Sequence, residues 1–202
     1  MKQISEKNTS FFFDPAIPPA LTVESGETVT FMTKDCYDGQ IDIDHKDFCL
    51  LDMNRNNPIT GPLYIKDAEP GDTLKVEVLD IVPNEYGMMC VRLGKGVYHV
   101  SGNHCRIFKI QDGIIQFDQG IRIPVRPMIG VIGTCPATAC DTHSPGLTGA
   151  IWISGIWVLE AQYICQYRFQ VQCCPSATVM LFRVTVKLRS ADLKSVLPLP
   201  SG

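Results

Sequence analysis

Two prolines and two glycines constrain the backbone of one stretch, IRIPVRPMIGVIG (residues 121–133). Proline fixes φ and has no backbone N–H donor, so Pro124 and Pro127 exclude the interior of a helix and of a central strand. The apolar run MIGVIG predicts a buried strand, in which Gly130 and Gly133 leave room for another backbone or a ligand. It leads into a loop of small residues, TCPATACDTHSPG. We interpret this arrangement as the floor of a site.

Apolar and polar residues alternate along several stretches in the first two thirds of the chain. Residues 21–33 (LTVESGETVTFMT) alternate on both sides of a Ser-Gly turn, as half-buried strands do. Residues 105–117 (CRIFKIQDGIIQF) place Asp112-Gly113 between two apolar runs, which predicts a β-hairpin. No apolar pattern of helical period lasts three turns before Gly146.

A third stretch, AEPGDTLKVEVLDIV (residues 68–82), shows the same alternation after a predicted turn at residues 70–72. Four of its residues have the spacing of one strand face: Leu74, Val76, Val78 and, as a candidate, Asp80. Short strands separated by turn residues are typical of all-β proteins. The sequence therefore predicts a mainly β fold, namely a sandwich, a jelly roll or a barrel.

The charge balance and the cysteines bear on partners and compartment. A net charge of -3 and a pI near 5.8 give no basic surface, so we expect neither nucleic acid nor an anionic membrane as partner. The polar start MKQISEKNTS lacks the apolar region of a signal peptide, and the apolar run at residues 150–159 is too short to span a bilayer. Nine cysteines without an export signal are expected to be reduced, which predicts a cytoplasmic protein.

The composition changes after Leu147. Residues 1–147 hold 13 of the 18 Lys and Arg and 19 of the 21 Asp and Glu, so they carry a net charge of -6, whereas residues 148–202 carry +3. All four histidines precede this boundary and both tryptophans follow it. We therefore divide the chain into residues 1–147, the N-terminal part of a β domain, and residues 148–202, an atypical tail.

Three stretches before that boundary carry a resemblance. They read PALTVESGETVTFMTKDCYDGQI, NPITGPLYIKDAEPGDTLKVEVLDI and IPVRPMIGVIG. In this order they closely resemble the acetamidase/formamidase family, over about residues 10–147. The resemblance implies a mostly β fold, here incomplete at its C-terminal side, that hydrolyses the C–N bond of a small linear amide such as formamide or acetamide. A homo-oligomer is also compatible with the resemblance.

The resemblance also implies a site with a divalent, zinc-like metal. It implies Asp35, in the segment TKDCYDGQ, as a metal ligand, and Gln40 and His143 as catalytic residues. A metal can activate water and polarise the carbonyl of an amide. Two of these positions also have a structural interpretation, Asp35 as a capping or turn residue and His143 as a surface histidine, and the nearby Asp38 is interpreted as a turn residue.

The family's pattern ends after Leu147. The family then has segments that look like HGGNMD and, further on, GDxHAxxGDGE, whereas this chain has TGAIWI and SATVMLFRVTVK. Deletion of one base in the codon after Leu147 would explain the difference, because the shifted codons permit HGGNMD and later LGDCHAVQGDGEV. We hypothesise that residues 148–202 are translated out of frame, that the chain stops early, and that it is inactive.

Other reactive residues form weaker patterns. Cys135, Cys140 and His143 make a CxxxxCxxH spacing, which is close to a zinc half-site but lacks a second pair. One of these thiols with a neighbouring base could also serve as a nucleophile. The acidic loop at residues 42–47 could bind a cation, although a solvated loop is its ordinary interpretation.

Two functions from different classes remain open at this point. The first is an amide hydrolase of the acetamidase/formamidase type. The second is a non-catalytic β module that keeps the scaffold and binds small molecules or partners. If the later strands are replaced by an out-of-frame tail, we also expect unpaired strand edges and an uncovered apolar face.

Overall fold

The structure of the chain is a computed structural model. It describes residues 1–45, 47–68, 73–94, 97, 99–127, 129, 131–135, 138–142, 150–152, 162–165, 169–172 and 181–191. The predicted turn at residues 70–72, Gly130 and His143 lie outside the described residues.

Strands dominate the described residues and confirm the predicted mainly β fold. They are β1 (Lys2–Ile4), β2 (Thr9–Ser10), β3 (Phe12–Phe13), β4 (Leu21–Val23), β5 (Thr28–Met32), β6 (Ile59–Ile65), β7 (Thr73–Pro83), β8 (Tyr86–Val91), β9 (His104–Gln111), β10 (Ile114–Asp118), β11 (Ile121–Pro124), β12 (Val131–Thr134), β13 (Cys140–Asp141), β14 (Ala150–Trp152), β15 (Gln162–Cys165), β16 (Phe169–Gln172) and β17 (Leu181–Ala191). Two 3₁₀ helices, Phe48–Leu50 and Met53–Arg55, lie between β5 and β6. No helix among the described residues is long and apolar enough to cross a bilayer.

Two larger sheets contain most of the buried apolar side chains of the described residues. The first has the order β1-β5-β17-β7-β15, and the second has the order β14-β12-β16-β6-β2, with β4 also paired to β6. The side chains of Phe31 in β5 and Leu63 in β6 are completely buried, at 0% exposure. The Thr60 hydroxyl of β6 donates a hydrogen bond of 3.4 Å to the Met32 carbonyl oxygen of β5, which joins the two sheets.

Strands from the C-terminal segment lie inside both sheets. β17 pairs antiparallel with β5 on one side and with β7 on the other. β16 likewise pairs with β12 and with β6. The expectation of unpaired edges is therefore wrong for these neighbours, because residues 182–189 themselves alternate apolar and polar side chains and can form a strand.

The proline-containing stretch separates an edge strand from a central one. β11, which ends at Pro124, is the outer strand of a smaller sheet with the order β11-β10-β9-β8. An edge position tolerates the missing N–H of proline. β12 follows and lies between β14 and β16, and Ile132 within it is 0% exposed. The predicted buried strand after the prolines is confirmed.

The smaller sheet contains the predicted hairpin. β9 and β10 are antiparallel, and Gln111 is the partner of Ile114 across a two-residue turn. Asp112 and Gly113 in that turn have φ values of +51° and +70°. Positive φ at both positions is the signature of a type I′ turn, whose twist matches that of the flanking strands. The Asp-Gly prediction is confirmed.

Replacement of the turn glycine should destabilise the protein. We expect Gly113→Ala to lower the free energy of unfolding by about 1 kcal/mol, because a side chain at φ +70° is strained. Urea titration followed by circular dichroism measures the change. Gly102→Ala is the control, since Gly102 lies outside the left-handed region and a Cβ there would only meet His104 Nε2 at 3.9 Å. An equal loss in both variants would contradict the turn argument.

The alternation around the Ser-Gly turn correctly predicts two strands, β4 and β5, with Val23 and Phe31 buried. The two strands do not pair with each other. β4 runs parallel to β6 in the second sheet, and β5 runs parallel to β1 in the first. Gly26, at φ +90°, lies in the turn where the chain passes from one sheet to the other.

The predicted face of β7 extends only to Val78. Val76 and Val78 are buried, whereas Asp80 is exposed, so its candidate place on this face is wrong. The pairing register with β17 shifts between Val78 and Asp80, which marks a β-bulge. One extra residue reverses the alternation, and Ile81 rather than Asp80 is buried beyond the bulge.

Candidate functional site

The segment after β5 forms a compact turn around Asp35, which we call the Asp35 loop (residues 33–42). The Asp35 carboxylate is almost completely buried, with the residue 5% exposed. One carboxylate oxygen accepts a hydrogen bond from the Tyr37 N–H (2.7 Å), and the other accepts one from the Gly39 N–H (2.9 Å). The loop can turn back sharply because Asp38 and Gly39 have positive φ. The structure thus places Asp35 as a cap of its own loop.

Burial controls the protonation of Asp35. Desolvation is the largest cause of a raised pKa, because the charged form loses water. The N–H donors of Tyr37 and Gly39 lower the pKa in part, and the nearby Asp38 charge raises it further. A carboxyl group whose pKa is shifted upward by burial can act in proton transfer, so this position has chemical potential beyond its capping role.

Asp38 lies in the same turn and carries an ion pair. Its side chain is 4% exposed and accepts hydrogen bonds from Lys34 Nζ (2.7 Å) and Arg55 Nε (2.8 Å), with a further contact to Arg55 Nη2. Its own N–H donates to the Asp35 carbonyl oxygen (3.0 Å). The expectation of a turn residue is confirmed by φ +56°, and the ion pair adds a tie to the Met53–Arg55 helix.

Gln40 joins the loop to the start of that helix. Its amide nitrogen donates to the Asp52 carbonyl oxygen (3.1 Å), and its amide oxygen accepts from the Asp52 N–H (2.9 Å). Asp52 in turn caps the helix, because its side chain accepts from the Asn54 N–H (3.0 Å). The geometry gives Gln40 a positioning role, and the predicted catalytic role stays a prediction.

The loop packs on the hairpin formed by β8 and β9. Cys36, Tyr37, Ile41 and Met88 are buried together. Leu51, Cys90, Cys105 and Ile107 pack against this cluster. Burial raises the pKa of the Tyr37 hydroxyl, so this group stays neutral. Sequence reasoning missed Tyr37 and Arg55, and the only available signal was their position within or shortly after a predicted loop.

The described residues do not provide a complete metal site. Catalytic zinc takes about three protein ligands, and no group of three or more His, Cys, Asp or Glu side chains in the described ranges could hold a metal ion. Asp35 could supply one ligand, since each carboxylate oxygen has a further acceptor position. Of the CxxxxCxxH pattern, Cys135 and Cys140 are half-buried thiols and His143 lies outside the described residues.

The acidic loop is organised by its own backbone. Asp42 accepts hydrogen bonds from the N–H groups of Asp44 (2.8 Å) and His45 (2.7 Å), and it also contacts His45 Nδ1 at 2.9 Å. These residues are exposed, and the backbone N–H donors lower the pKa of Asp42. The arrangement agrees with the interpretation as a solvated loop.

The raised pKa of Asp35 predicts a pH dependence of stability. The folded chain holds this proton more tightly than the unfolded chain, for which the ordinary value is 3.8, so its stabilising contribution is fully present below that pH. It is lost as the pH rises through the folded-state pKa. We therefore expect the free energy of unfolding of the wild type, minus that of Asp35→Asn, to fall as the pH rises from 3.5 towards 7, measured by urea titration with a chelator present.

A difference that rises with pH would contradict this expectation. It would mean that the Tyr37 and Gly39 donors outweigh burial. Asp42→Asn is the control with the opposite sign, because its folded-state pKa is lowered and its stabilising contribution is lost as the pH falls.

Comparison with known proteins identifies the family. Residues 2–145 match the sequence model of the Acetamidase/Formamidase family. The chain belongs to this family. The resemblance of the three motifs is thereby confirmed.

Two curated relatives of the family are similar over part of their length. A candidate formamidase of Schizosaccharomyces pombe is 32% identical over 143 residues, which are 61% of this chain and 33% of the relative. An acetamidase of Mycolicibacterium smegmatis is 38% identical over 80 residues, which are 38% of this chain and 20% of the relative. The chain therefore spans a third or less of these relatives.

Solved structures of the family share the fold. An acetamidase of Bacillus halodurans superposes with a TM-score of 0.85 at 28% identity, covering 94% of this chain and 70% of that one. A predicted acetamidase/formamidase of Thermoanaerobacter tengcongensis gives 0.86 at 25% identity, covering 98% and 71%. The sequence match ends at residue 145, whereas the structural similarity covers nearly the whole chain.

Proposed function

We propose that this acetamidase/formamidase scaffold serves the hydrolysis of the C–N bond in short linear amides such as formamide and acetamide, giving a carboxylate and ammonia. The observation that carries the proposal is the family match over residues 2–145, together with relatives named as a formamidase and an acetamidase. The substrate proposed is a small amide.

Asp35 is the residue through which the described structure supports this chemistry. Hydrolysis of an unactivated amide needs an activated water, a polarised carbonyl and an acid for the leaving amine. A buried carboxyl group with a raised pKa can hold or transfer a proton at its oxygen. It could alternatively act as one ligand of the divalent metal that the family implies, with further ligands from residues beyond those described.

Gln40 and His143 remain the proposed catalytic partners. Gln40 is 12 residues from Asp52 in sequence and uses both amide atoms to hold that backbone, so contact with a substrate would require it to release one bond. We therefore propose that Gln40 orients the Asp35 loop in addition to contacting the substrate. Variants at Gln40 should separate the two roles. If Gln40 positions the loop, its replacement lowers stability together with activity, whereas loss of a substrate contact lowers activity alone.

We propose in addition that residues 148–202 are read out of frame and that the chain as it stands is inactive. Support comes from the point at which the family match ends, residue 145, directly before the divergent segment. Restoration of one base after the Leu147 codon should return segments resembling HGGNMD and GDxHAxxGDGE. Sequencing of the gene tests this, and a stop codon in the restored frame before the second segment would refute it.

The test of function compares the chain with its frame-restored form. Ammonia release from formamide and acetamide and bound metal by elemental analysis are measured on both proteins. We expect turnover and metal in the restored form only, and loss of turnover in its Asp35→Asn variant. Asp42→Asn is the matched control, because Asp42 also accepts two backbone N–H bonds but is exposed. Turnover by the chain as it stands, or none by a folded restored form, would overturn the proposal.

A non-catalytic β module remains the second candidate. The observation that favours it is that both oxygens of Asp35 and both amide atoms of Gln40 already bind backbone groups. This candidate predicts that acetamide binds to the restored form, as measured by calorimetry, without release of ammonia. Detectable ammonia release eliminates it.

Compartment and assembly complete the proposal. We propose a cytoplasmic protein without nucleic-acid or membrane partners, supported by the net charge of -3. Six of the cysteines are free thiols in the structure, and a reducing compartment would keep them so: Cys36, Cys49, Cys90, Cys105, Cys135 and Cys140. Size-exclusion chromatography with light scattering tests whether the protein forms a homo-oligomer.

A further inference from the structure

Two cysteines face each other across the β8–β9 hairpin beneath the Asp35 loop. Cys90 and Cys105 are directly opposed in the antiparallel register. Their sulfur atoms are 3.0 Å apart, and both side chains are partly buried. The two residues are 15 positions apart in sequence, so sequence spacing alone gives no sign of the contact.

An antiparallel ladder has two kinds of residue pair, and the register shows that Cys90 and Cys105 form the kind in which the Cα atoms are closer together. The Ile110 N–H donates to the Glu85 carbonyl oxygen (2.7 Å), and these two residues are opposite each other when the register is continued by one position. Hydrogen-bonded and non-hydrogen-bonded pairs alternate along an antiparallel ladder. Five positions further along, Cys90 and Cys105 therefore form a non-hydrogen-bonded pair, in which the Cα atoms are about 4.5 Å apart.

This spacing suits a disulfide. A disulfide needs Cα atoms roughly 4.4–6.8 Å apart and sulfur atoms at about 2.05 Å, so closure requires the sulfurs to approach by about an ångström with little backbone movement. We propose that Cys90 and Cys105 are a thiol–disulfide exchange site, which forms a reversible cross-strand disulfide with a low-molecular-weight disulfide such as oxidised glutathione.

The exchange is balanced by the small disulfide. One protein thiolate attacks a sulfur of oxidised glutathione, which gives a protein–glutathione mixed disulfide and one glutathione thiolate. The second protein thiolate then attacks the protein-side sulfur and releases the second glutathione thiolate. The two protein thiols are oxidised, the one disulfide is reduced to two molecules of glutathione, and the two protons pass from the protein thiols to the glutathione thiolates.

The environment of Cys90 controls the rate of this exchange. Burial is the largest cause of a raised pKa of its thiol, followed by the hydrogen bond to Cys105 and by the Cys105 and Asp35 charges, while Arg92 lowers the pKa. A thiol with a raised pKa exchanges slowly, because the thiolate is the nucleophile. The bridge is therefore expected to form over a long incubation.

A disulfide between Cys90 and Cys105 would affect the β8–β9 hairpin on which the Asp35 loop packs. Cys90 and Cys105 pack against the cluster that contains Cys36, Tyr37 and Ile41. A covalent link between β8 and β9 would hold that surface in one arrangement under the loop. This consequence does not depend on whether the protein hydrolyses amides, so its test is independent of the proposed function.

The experiment is exchange followed by peptide mapping. The purified 202-residue chain is incubated with oxidised glutathione at pH 8, remaining thiols are alkylated, and non-reduced peptides are analysed by mass spectrometry. We expect one dominant linked peptide pair containing Cys90 and Cys105, which disappears after treatment with dithiothreitol. Cys49, which is exposed, should instead carry glutathione. The same reaction in urea should give mixed pairings, which shows that the fold directs the link.

Single variants provide the matched controls. In Cys90→Ser and in Cys105→Ser the remaining cysteine should carry glutathione or stay alkylatable, whereas Cys49→Ser should keep the bridge unchanged. If Cys90 and Cys105 both remain fully alkylatable in the folded wild type under conditions that modify Cys49, or if they link to other cysteines as often as to each other, the proposal fails.

Discussion

A chain that ends at Leu147 is expected to show no cooperative unfolding transition. Among the strands that the structure describes, β17 alone connects β5 with β7 in the first sheet, and it is paired with five residues of β5 and ten residues of β7. In the second sheet β12 and β6 are likewise connected through β16. Native domains are stable by only about 5–15 kcal/mol, so the loss of a central strand from each sheet should remove the folded state.

Urea titration by circular dichroism and size-exclusion chromatography measure this effect. The truncated chain should elute as aggregate, because the free edges of β5, β7, β6 and β12 invite pairing between molecules. A chain ending at Ala191 is the control, since it retains all strands described here, β1 to β17. The argument fails if the chain ending at Leu147 stays monomeric and unfolds cooperatively near the midpoint of the control.

The same sheets show how far the sequence could predict the fold. Period-2 alternation correctly located β4, β5 and β7, because it depends only on neighbouring residues. It could not predict that β4 and β5 join different sheets, since the partner of a strand depends on residues far away in sequence. Nor could it locate the bulge in β7, which arises from pairing with β17.

The tail has an alternation of its own between apolar and polar residues. In residues 182–189, Phe182, Val184, Val186 and Leu188 alternate with Arg183, Thr185, Lys187 and Arg189. This is the pattern of a half-buried strand, and the structure has β17 there. The tail therefore lacks the family's motifs and still has the sequence pattern of a strand.

Of the candidate site, too, the sequence indicates only some of the residues. The sequence indicated Asp35 through the family resemblance and Asp38 through turn chemistry, which are local properties. The ion partner Arg55 lies 17 residues from Asp38, and the supporting thiols lie on β8 and β9, so only the folded chain brings them to the Asp35 loop. The extent of burial, which raises the pKa of Asp35, is also a property of the folded chain.

Replacement of Asp38 should have the second largest effect on stability. Its buried carboxylate accepts charge-assisted hydrogen bonds from Lys34 and Arg55, and bonds of this kind contribute roughly 1.5–3 kcal/mol each. Lys34 and Arg55 keep 29% and 49% of their side chains exposed, so water can replace part of what they lose. We therefore expect Asp38→Asn to lower the free energy of unfolding by about 2 kcal/mol.

The backbone at Asp38 allows the charge and the turn to be separated. At φ +56° asparagine is tolerated nearly as well as aspartate, whereas alanine adds about 1 kcal/mol of strain, so Asp38→Ala should cost about 3 kcal/mol. Arg55→Met should cost nearly as much as Asp38→Asn, because it leaves a buried carboxylate with Lys34 alone. The exposed Asp42→Asn is the control and should change the free energy of unfolding at pH 7 much less than Asp38→Asn does. If Asp38→Asn and Asp42→Asn have equal effects in urea titration, the buried ion pair does not stabilise the Asp35 loop.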